Sequence, residues 1–389
     1  MEVGVVGKPN VGKSTFFKAL TLSEVEVAAF PFTTIKANVG VGHVRAECPC
    51  KSLEVECSPK NSFCVDGTRF IPVKMLDVAG LVPGAAQGRG LGNQFLDDLR
   101  QADVLIHVID VSGTTDENGE SAKGHDPRKD VGFLEDEIDL WFADIIQRNW
   151  GKVSGRIQHS NEKPQELLAE QLSGLGIRED HVIHAFKETG LSDKKNWDRG
   201  DVEEFARILR AASKPIVIAA NKIDLDEQNL EAMKDEMELT GVCAEAELAL
   251  REACEKDLID YTPGGKEFNV TGDLGEKQLK ALEYIREKIL AKHGSTGVQE
   301  VLEKAVFDKL GYISVYPVEN ENKYTDKKGN ILPDAHLLPA GSTVLELAYK
   351  IHSDIGDNFV GAIDCKTGMK VARDHVLADG DVVKIHSRS

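Results

Sequence analysis

Gly7-Lys8-Pro9-Asn10-Val11-Gly12-Lys13-Ser14 fits the pattern G-x-x-x-x-G-K-[ST]. It lies between an apolar run, Val3 to Val6, and a helical pattern from about Ser14 to Leu20. In that context a loop of backbone N–H groups at a helix N-terminus cradles phosphate. Asn10, Val11, Gly12, Lys13, Ser14 and Thr15 are therefore the phosphate-contacting candidates. Lys13 would reach the β- and γ-phosphates, and the Ser14 hydroxyl would ligate Mg²⁺. Asp77 closes a predicted strand, Ile71 to Leu76, where a carboxylate can hold the Mg²⁺ shell. Gly80 has no Cβ to keep its N–H from a γ-phosphate. A fourth motif, Asn221-Lys222-Ile223-Asp224, follows the predicted strand Pro215 to Ala220. A carboxylate at Asp224 accepts from both N1–H and the 2-amino group of guanine, whereas adenine offers no such pair. An unmatched buried acceptor costs roughly 1–3 kcal/mol, so the set points to GTP and GDP. Ala244, in Gly241-Val242-Cys243-Ala244-Glu245, is the candidate to offer a backbone N–H to guanine O6.

Those motifs need a scaffold that sets them at one edge of a sheet. Strand and helix signals alternate from Glu2–Val6 through the P-loop helix, a long loop to about Arg69, Ile71–Leu76, a helix near Asn93–Gln101 and the buried strand Val104–Val111. This reads as an α/β doubly wound sheet. The alternation stops at about Ser112. Up to about Ala212 the chain is polar, with helical stretches at Val131–Asn149, Pro164–Leu172, His181–Glu188 and Val202–Ala211. Phe133, Leu134, Ile138, Trp141, Phe142 and Ile145 recur at helical spacing and read as packing residues. The sheet resumes at Pro215–Ala220, and Leu274 to Lys292 reads as a closing helix. After about Val306 come strands at Ile313–Val318, Phe359–Ile363 and Asp381–Ile385 with one helix, Thr343–His352, which suggests a β-grasp roll. The expected organisation is a discontinuous P-loop domain (1–111 and 212–306), an inserted helical domain (112–211) and a β-grasp domain (307–389).

The 389 residues carry a formal net charge of −18, which argues against general DNA or other nucleic-acid affinity and leaves RNA contact to local surfaces. No apolar run reaches the roughly 18–20 residues that cross a bilayer. The first strand begins at Glu2, leaving no room for a signal peptide, so a cytoplasmic protein without membrane partners is expected. Seven cysteines without a secretory signal read as reduced thiols. Four of them, Cys48, Cys50, Cys57 and Cys64, fall in one segment as C-x-C-x₆-C-x₆-C. That spacing is not a standard zinc finger, and either a Zn²⁺ tetrathiolate or ordinary loop thiols is compatible with it.

Taken together, the chain resembles the YchF branch of the Obg-family GTPases, and specifically its archaeal-type members. The resemblance rests on Gly7 to Thr15, on Phe30-Pro31-Phe32-Thr33-Thr34-Ile35 followed by Asn38-Val39-Gly40, and on Asp77-Val78-Ala79-Gly80-Leu81-Val82-Pro83-Gly84-Ala85 running into Gly88-Arg89-Gly90-Leu91-Gly92. It covers essentially the whole chain and implies a terminal TGS domain, a link to ribosomes or translation, and a Mg²⁺ ligand at Thr34. Many such proteins have an altered base motif and look like ATPases. Here Asn221, Lys222 and Asp224 are retained, so adenine preference does not carry over. The histidine that many members place after the strand equivalent to Val104–Val111 has His125 as its candidate, but His125 abuts Asp126-Pro127 and reads as an exposed loop residue. Leu81 stands where Ras-like enzymes hold a water-orienting Gln. The resemblance to Asn-bearing P-loops of cation-activated GTPases suggests that Asn10 helps bind K⁺, the other reading being a loop cap; Lys13, Asn10 and Thr34 are the catalytic candidates. The expected activity is slow GTP hydrolysis by a translation-associated switch. The alternative is a guanine-nucleotide sensor whose terminal domain recognises RNA, protein or a regulatory nucleotide.

Overall fold

A computed structural model describes residues 1–22, 39–78, 98–159, 163–191 and 197–388. The described chain forms two compact units. The first holds 1–22, 39–40 and the described part of 74–301; the second holds 41–73 and 302–388.

In the first unit β1 (Glu2–Val6) leads through the P-loop into α1 (Lys13–Thr21). After β2 (Val39–Glu47), β3 (Phe63–Val65) and β4 (Thr68–Asp77), most of whose residues belong to the second unit, come β5 (Val104–Asp110), β6 (Ile216–Asn221) and β7 (Thr240–Val242). The end of β4 from Lys74, then β1, β5, β6 and β7, lie side by side, every pair parallel. Val104 to Asp110 are all buried, as expected of a central parallel strand covered on both faces. The carboxyl ends of β1, β4, β5 and β6 therefore carry Gly7, Asp77, Asp110 and Asn221 to one edge, where ligands bind in open α/β sheets.

The stretch between β5 and β6 is helical: α2 (Arg128–His159), α3 (Pro164–Leu172), α4 (Glu179–Thr189) and α5 (Arg199–Ser213). Leu134, Ile138, Trp141, Phe142 and Ile146 are buried against Leu167, Val182, Phe205 and Leu209, so the aromatics at helical spacing pack as expected. Ile145 is only partly buried, because the inward stripe passes through Ile146. Trp150 and Trp197 stack at 3.9 Å, and Trp197 meets Phe205 at 4.8 Å. Beyond β6 lie α6 (Glu227–Lys234), α7 (Ala244–Cys254), a two-strand pair β8 (Ile259–Asp260) and β9 (Asn269–Val270), and α8 (Glu276–Tyr284).

The second unit contains a five-stranded sheet in the order β11 (His336–Pro339), β10 (Tyr312–Val318), β14 (Asp381–Ser387), β12 (Phe359–Asp364), β13 (Met369–Val371). Only β10 and β14 pair in parallel. One helix, α9 (Val344–Ile351), contributes Val344 and Leu347 to a core with Val315, Leu338, Ala362 and Val383. Thr343 caps that helix and Glu346 returns the bond to the Thr343 N–H. The roll is the β-grasp architecture read from the sequence.

The region before Arg69 departs from the sequence reading, which treats it as one long loop. It holds the nine-residue strand β2, whose period-two signal in Val39-Gly40-Val41-Gly42-His43-Val44 is blurred by the two glycines and by His43, which is buried.

Candidate functional site

The P-loop turns through two left-handed residues, Asn10 at φ 63° and Gly12 at φ 93°. Gly12 is required there twice over, since a Cβ would also meet the Asn221 side chain. Helix α1 then starts at Lys13 with no side-chain cap, leaving its first N–H groups facing the loop concavity. The Lys13 ammonium pairs with the Asp77 carboxylate at the end of β4. Ser14 is exposed at the start of the same helix. Thr34 and Gly80, and the glycines at 84, 88, 90 and 92, lie outside the described residues.

On the base side Asn221 is almost fully buried and acts as a joint. Its Nδ2 donates to the Val11 carbonyl at 2.8 Å, and its Oδ1 accepts from the Ala244 N–H at 3.0 Å. One side chain thus ties the P-loop to the turn that opens α7. The Ala244 N–H assigned from sequence to guanine O6 is the one donated to Asn221 in this structure. Lys222 adopts φ 67° and reaches back to Asp110, 2.8 Å away. Asp224 is exposed, with the Cys243 thiol 3.5 Å from its Oδ1.

Two elements of this site escape motif reading. Asp110 ends β5 just as Asp77 ends β4, and is about 1% exposed. Burial alone would push its carboxyl up. Lys222, Ser112 (Oγ at 2.5 Å) and Thr114 (2.8 Å) outweigh that and hold it below the ordinary carboxylate range. The second is Lys8, buried, whose Nζ meets Thr115 O at 2.9 Å and Asp130 at 2.7 Å. Asp130 in turn bonds His125 Nε2 at 2.8 Å, so His125 is an enclosed partner of that network rather than an exposed loop residue. Asn10 Nδ2 donates to Gly119 O at 2.9 Å. The loop 112–125 is therefore strapped to the P-loop by Lys8 and Asn10. The one signal for it in the sequence is the Asp-x-Ser-Gly-Thr-Thr run at 110–115, rich in turn residues and hydroxyls. Behind the loop, burial first and then the Lys8 charge hold the His107 imidazole down to about 3.

The four clustered cysteines meet in the second unit, their sulfurs all within 4.8 Å of one another. Of the basic residues in the roll, Lys350, Lys366, Lys370 and Arg373 are exposed, whereas Lys384 pairs with Glu321.

The hydroxyl and carboxylate oxygens of Ser14 and Asp77 are the hard donors that Mg²⁺ prefers, and Asp77 is paired with the Lys13 ammonium. No helix of the described chain is long and apolar enough to cross a membrane.

Residues 2–134 match the model of 50S ribosome-binding GTPases, 219–320 the G4 motif-containing domain of YGR210-like Obg-like GTPases, and 323–387 the TGS domain. An uncharacterized GTP-binding protein of Methanocaldococcus jannaschii is 47% identical over 99% of this chain and 98% of its own length. A protein of Bacillus subtilis called ribosome-binding ATPase YchF is 28% identical over 98% of each. The crystal structure of a GTP-binding protein from Pyrococcus horikoshii OT3 is 41% identical, with a TM-score of 0.79 over 100% of both chains.

Proposed function

Because the chain belongs to the YchF/Obg-like family of P-loop GTPases, we propose that it binds GTP with Mg²⁺ and hydrolyses it to GDP and phosphate as a ribosome-associated switch. The observation that carries the base choice is the joint at Asn221. It holds the phosphate loop and the Asp224 loop in one frame and leaves the Asp224 carboxylate exposed beside it. A base that supplies two donors to that carboxylate gains what adenine cannot, and selection built on such bonds reaches about 10⁴-fold.

Lys13 exchanges Asp77 for the β- and γ-phosphates when nucleotide binds, and the freed carboxylate joins the Ser14 hydroxyl and Thr34 as the residues that would hold Mg²⁺. The metal, when bound, offsets the charge shared by the β- and γ-oxygens. Gly80 would add its N–H at the γ-phosphate. Asn10 has its amide nitrogen on Gly119, so its side-chain oxygen is the atom that would hold K⁺, whose charge would offset the charge developing on the phosphate oxygens. Loop 112–125 fixes the orientation of Asn10, so in this reading the loop is part of the hydrolytic apparatus.

The ribosome part rests on relatives called ribosome-binding and on exposed Lys350, Lys366, Lys370 and Arg373 in an otherwise acidic chain. Single-turnover GTP hydrolysis, in K⁺ or Na⁺ at fixed ionic strength and with or without ribosomes, tests the proposal. Hydrolysis faster in K⁺ and faster again with ribosomes supports a switch. Binding without ribosome-stimulated turnover would favour a nucleotide sensor.

A further inference from the structure

The backbone of β2, a tight turn and the β3–β4 hairpin bring the cysteine cluster together. Cys48 follows β2, and its N–H is fastened to Gly67 O at 2.9 Å. A tight turn over 48–55 brings Cys50 back beside it, with Leu53 N on Pro49 O at 2.9 Å and Val55 N on Cys50 O at 3.1 Å. Cys64, on β3, is carried in by the antiparallel pairing of Phe63–Val65 with Thr68–Phe70. Cys48 and Cys50 are buried; Cys57 and Cys64 are half-buried. The Cys48 and Cys57 sulfurs are 4.0 Å apart, twice the length of a disulfide bond. A tetrahedral Zn²⁺ with Zn–S near 2.3 Å places its sulfurs about 3.8 Å from one another. Four sulfurs mutually within 4.8 Å are close to that arrangement.

A second observation comes from charge. Arg69 is fully buried, and among the described residues no carboxylate makes a direct ion pair with it, although the Asp334 carboxylate feels its charge. Its neighbours are Ser62 Oγ at 3.0 Å, Leu332 O at 2.9 Å, the Tyr316 ring at 5.4 Å and the Cys48 sulfur at 3.4 Å. Its Nε has no hydrogen-bond partner among the described residues. A buried guanidinium without a direct ion-pair partner is costly. Four thiolates around one Zn²⁺ carry a net charge of two minus, directly beside it.

We propose that Cys48, Cys50, Cys57 and Cys64 form a structural Zn²⁺ site, with Arg69 as its buried counter-cation. Binding forms four Zn–S bonds and releases the thiol protons to solvent. All four positions are filled by protein, so the site has no open coordination position for catalysis. Its consequence is mechanical. The segment between Cys57 and Cys64 clamps the segment leading into β11. Ser58 N donates to Ile331 O at 2.8 Å, and Ile331 N to Ser58 Oγ at 2.8 Å. Lys60 N donates to Pro333 O at 2.7 Å, and Asn61 exchanges two bonds with Ala335 at 2.9 and 3.0 Å. The metal fixes both ends of the clamp and, through Arg69 on Leu332 O, its middle.

The test uses the full chain, purified without chelator. Elemental analysis should find about one zinc per chain, reduced in Cys57→Ser and Cys64→Ser and unchanged in Cys254→Ser. Should the serine variants fail to fold, Co²⁺ titration of chelator-treated wild type gives an independent reading: intense tetrahedral d–d and thiolate-to-cobalt charge-transfer bands saturating at one equivalent. Hydrogen exchange should show 57–64 and 331–335 losing protection together on metal removal, while 7–15 keeps its own. Metal-free protein with freely reactive thiols, a Cys48–Cys57 disulfide, or iron in place of zinc would overturn the assignment. Bound zinc with unchanged exchange at 331–335 would overturn the clamping role.

Discussion

Replacing Asn221 by alanine separates a joint from a base contact. The substitution leaves the Val11 carbonyl and the Ala244 N–H, both on fully buried residues, without their 2.8 and 3.0 Å partners. Each orphaned group costs about 1–3 kcal/mol. Gly12 beside them is only half-buried, so water can follow into part of the gap, and about 2–4 kcal/mol in total is the expected loss. Much of it falls on the P-loop conformation that wraps phosphate. With about 1.4 kcal/mol for each factor of ten, nucleotide affinity should drop roughly 10- to 100-fold. The drop should extend to ligands that have no base at all. Displacement of a fluorescent GDP analogue by GTP, by GDP and by inorganic tripolyphosphate measures all three, with circular dichroism confirming the fold. Asn221→Asp should be no milder, because it sets a carboxylate oxygen against the Val11 carbonyl. If tripolyphosphate binds Asn221→Ala as it binds wild type while GTP is lost, Asn221 acts on the base alone and the joint does not exist.

Two further outcomes follow from the same edge of the sheet. His107 has its folded value near 3 against about 6.5 when unfolded, so below pH 6.5 the unfolded chain binds the extra proton and stability falls with falling pH. Wild type should lose about 2 kcal/mol more than His107→Gln between pH 7 and pH 5 in denaturant melts, and equal losses would show that the imidazole is not held neutral. Asp224→Asn should weaken GTP and favour xanthosine triphosphate, because the amide presents a donor where the carboxylate accepted; unchanged preference in a nucleotide competition would remove Asp224 from the base site.

Much of this was legible in the chain because the chemistry-bearing residues are contiguous. A P-loop, a strand-ending Asp77 and Asn221-Lys222-Ile223-Asp224 each declare themselves within a few positions, and the parallel sheet follows from the strands that precede them. The terminal roll was legible for the same reason, with caps and strands in local order. What stayed hidden depends on contacts far apart in sequence. Lys8 meets Asp130 and Asn10 meets Gly119 across more than a hundred residues. His125 looks like a loop residue until Asp130 is seen beside it. Asp110 reads as one more strand-end polar residue until its donors are assembled. The cysteine spacing leaves both a Zn²⁺ tetrathiolate and ordinary loop thiols open, because the closure of the segment depends on the β3–β4 hairpin and on Gly67, not on spacing. The clustering of 41–73 with the terminal roll likewise rests on distant contacts, with Arg69 bonded to Leu332 and Tyr316 Oη to Glu47 O at 3.4 Å.

The central claim is guanine-selective nucleotide hydrolysis at this edge, and the most direct test is competition between GTP and ATP for the wild-type chain in Mg²⁺ and K⁺, read as the ratio of kcat/KM values. The account predicts a preference for GTP of about 10² or more. Equal values for the two nucleotides, or a preference for ATP, would contradict it.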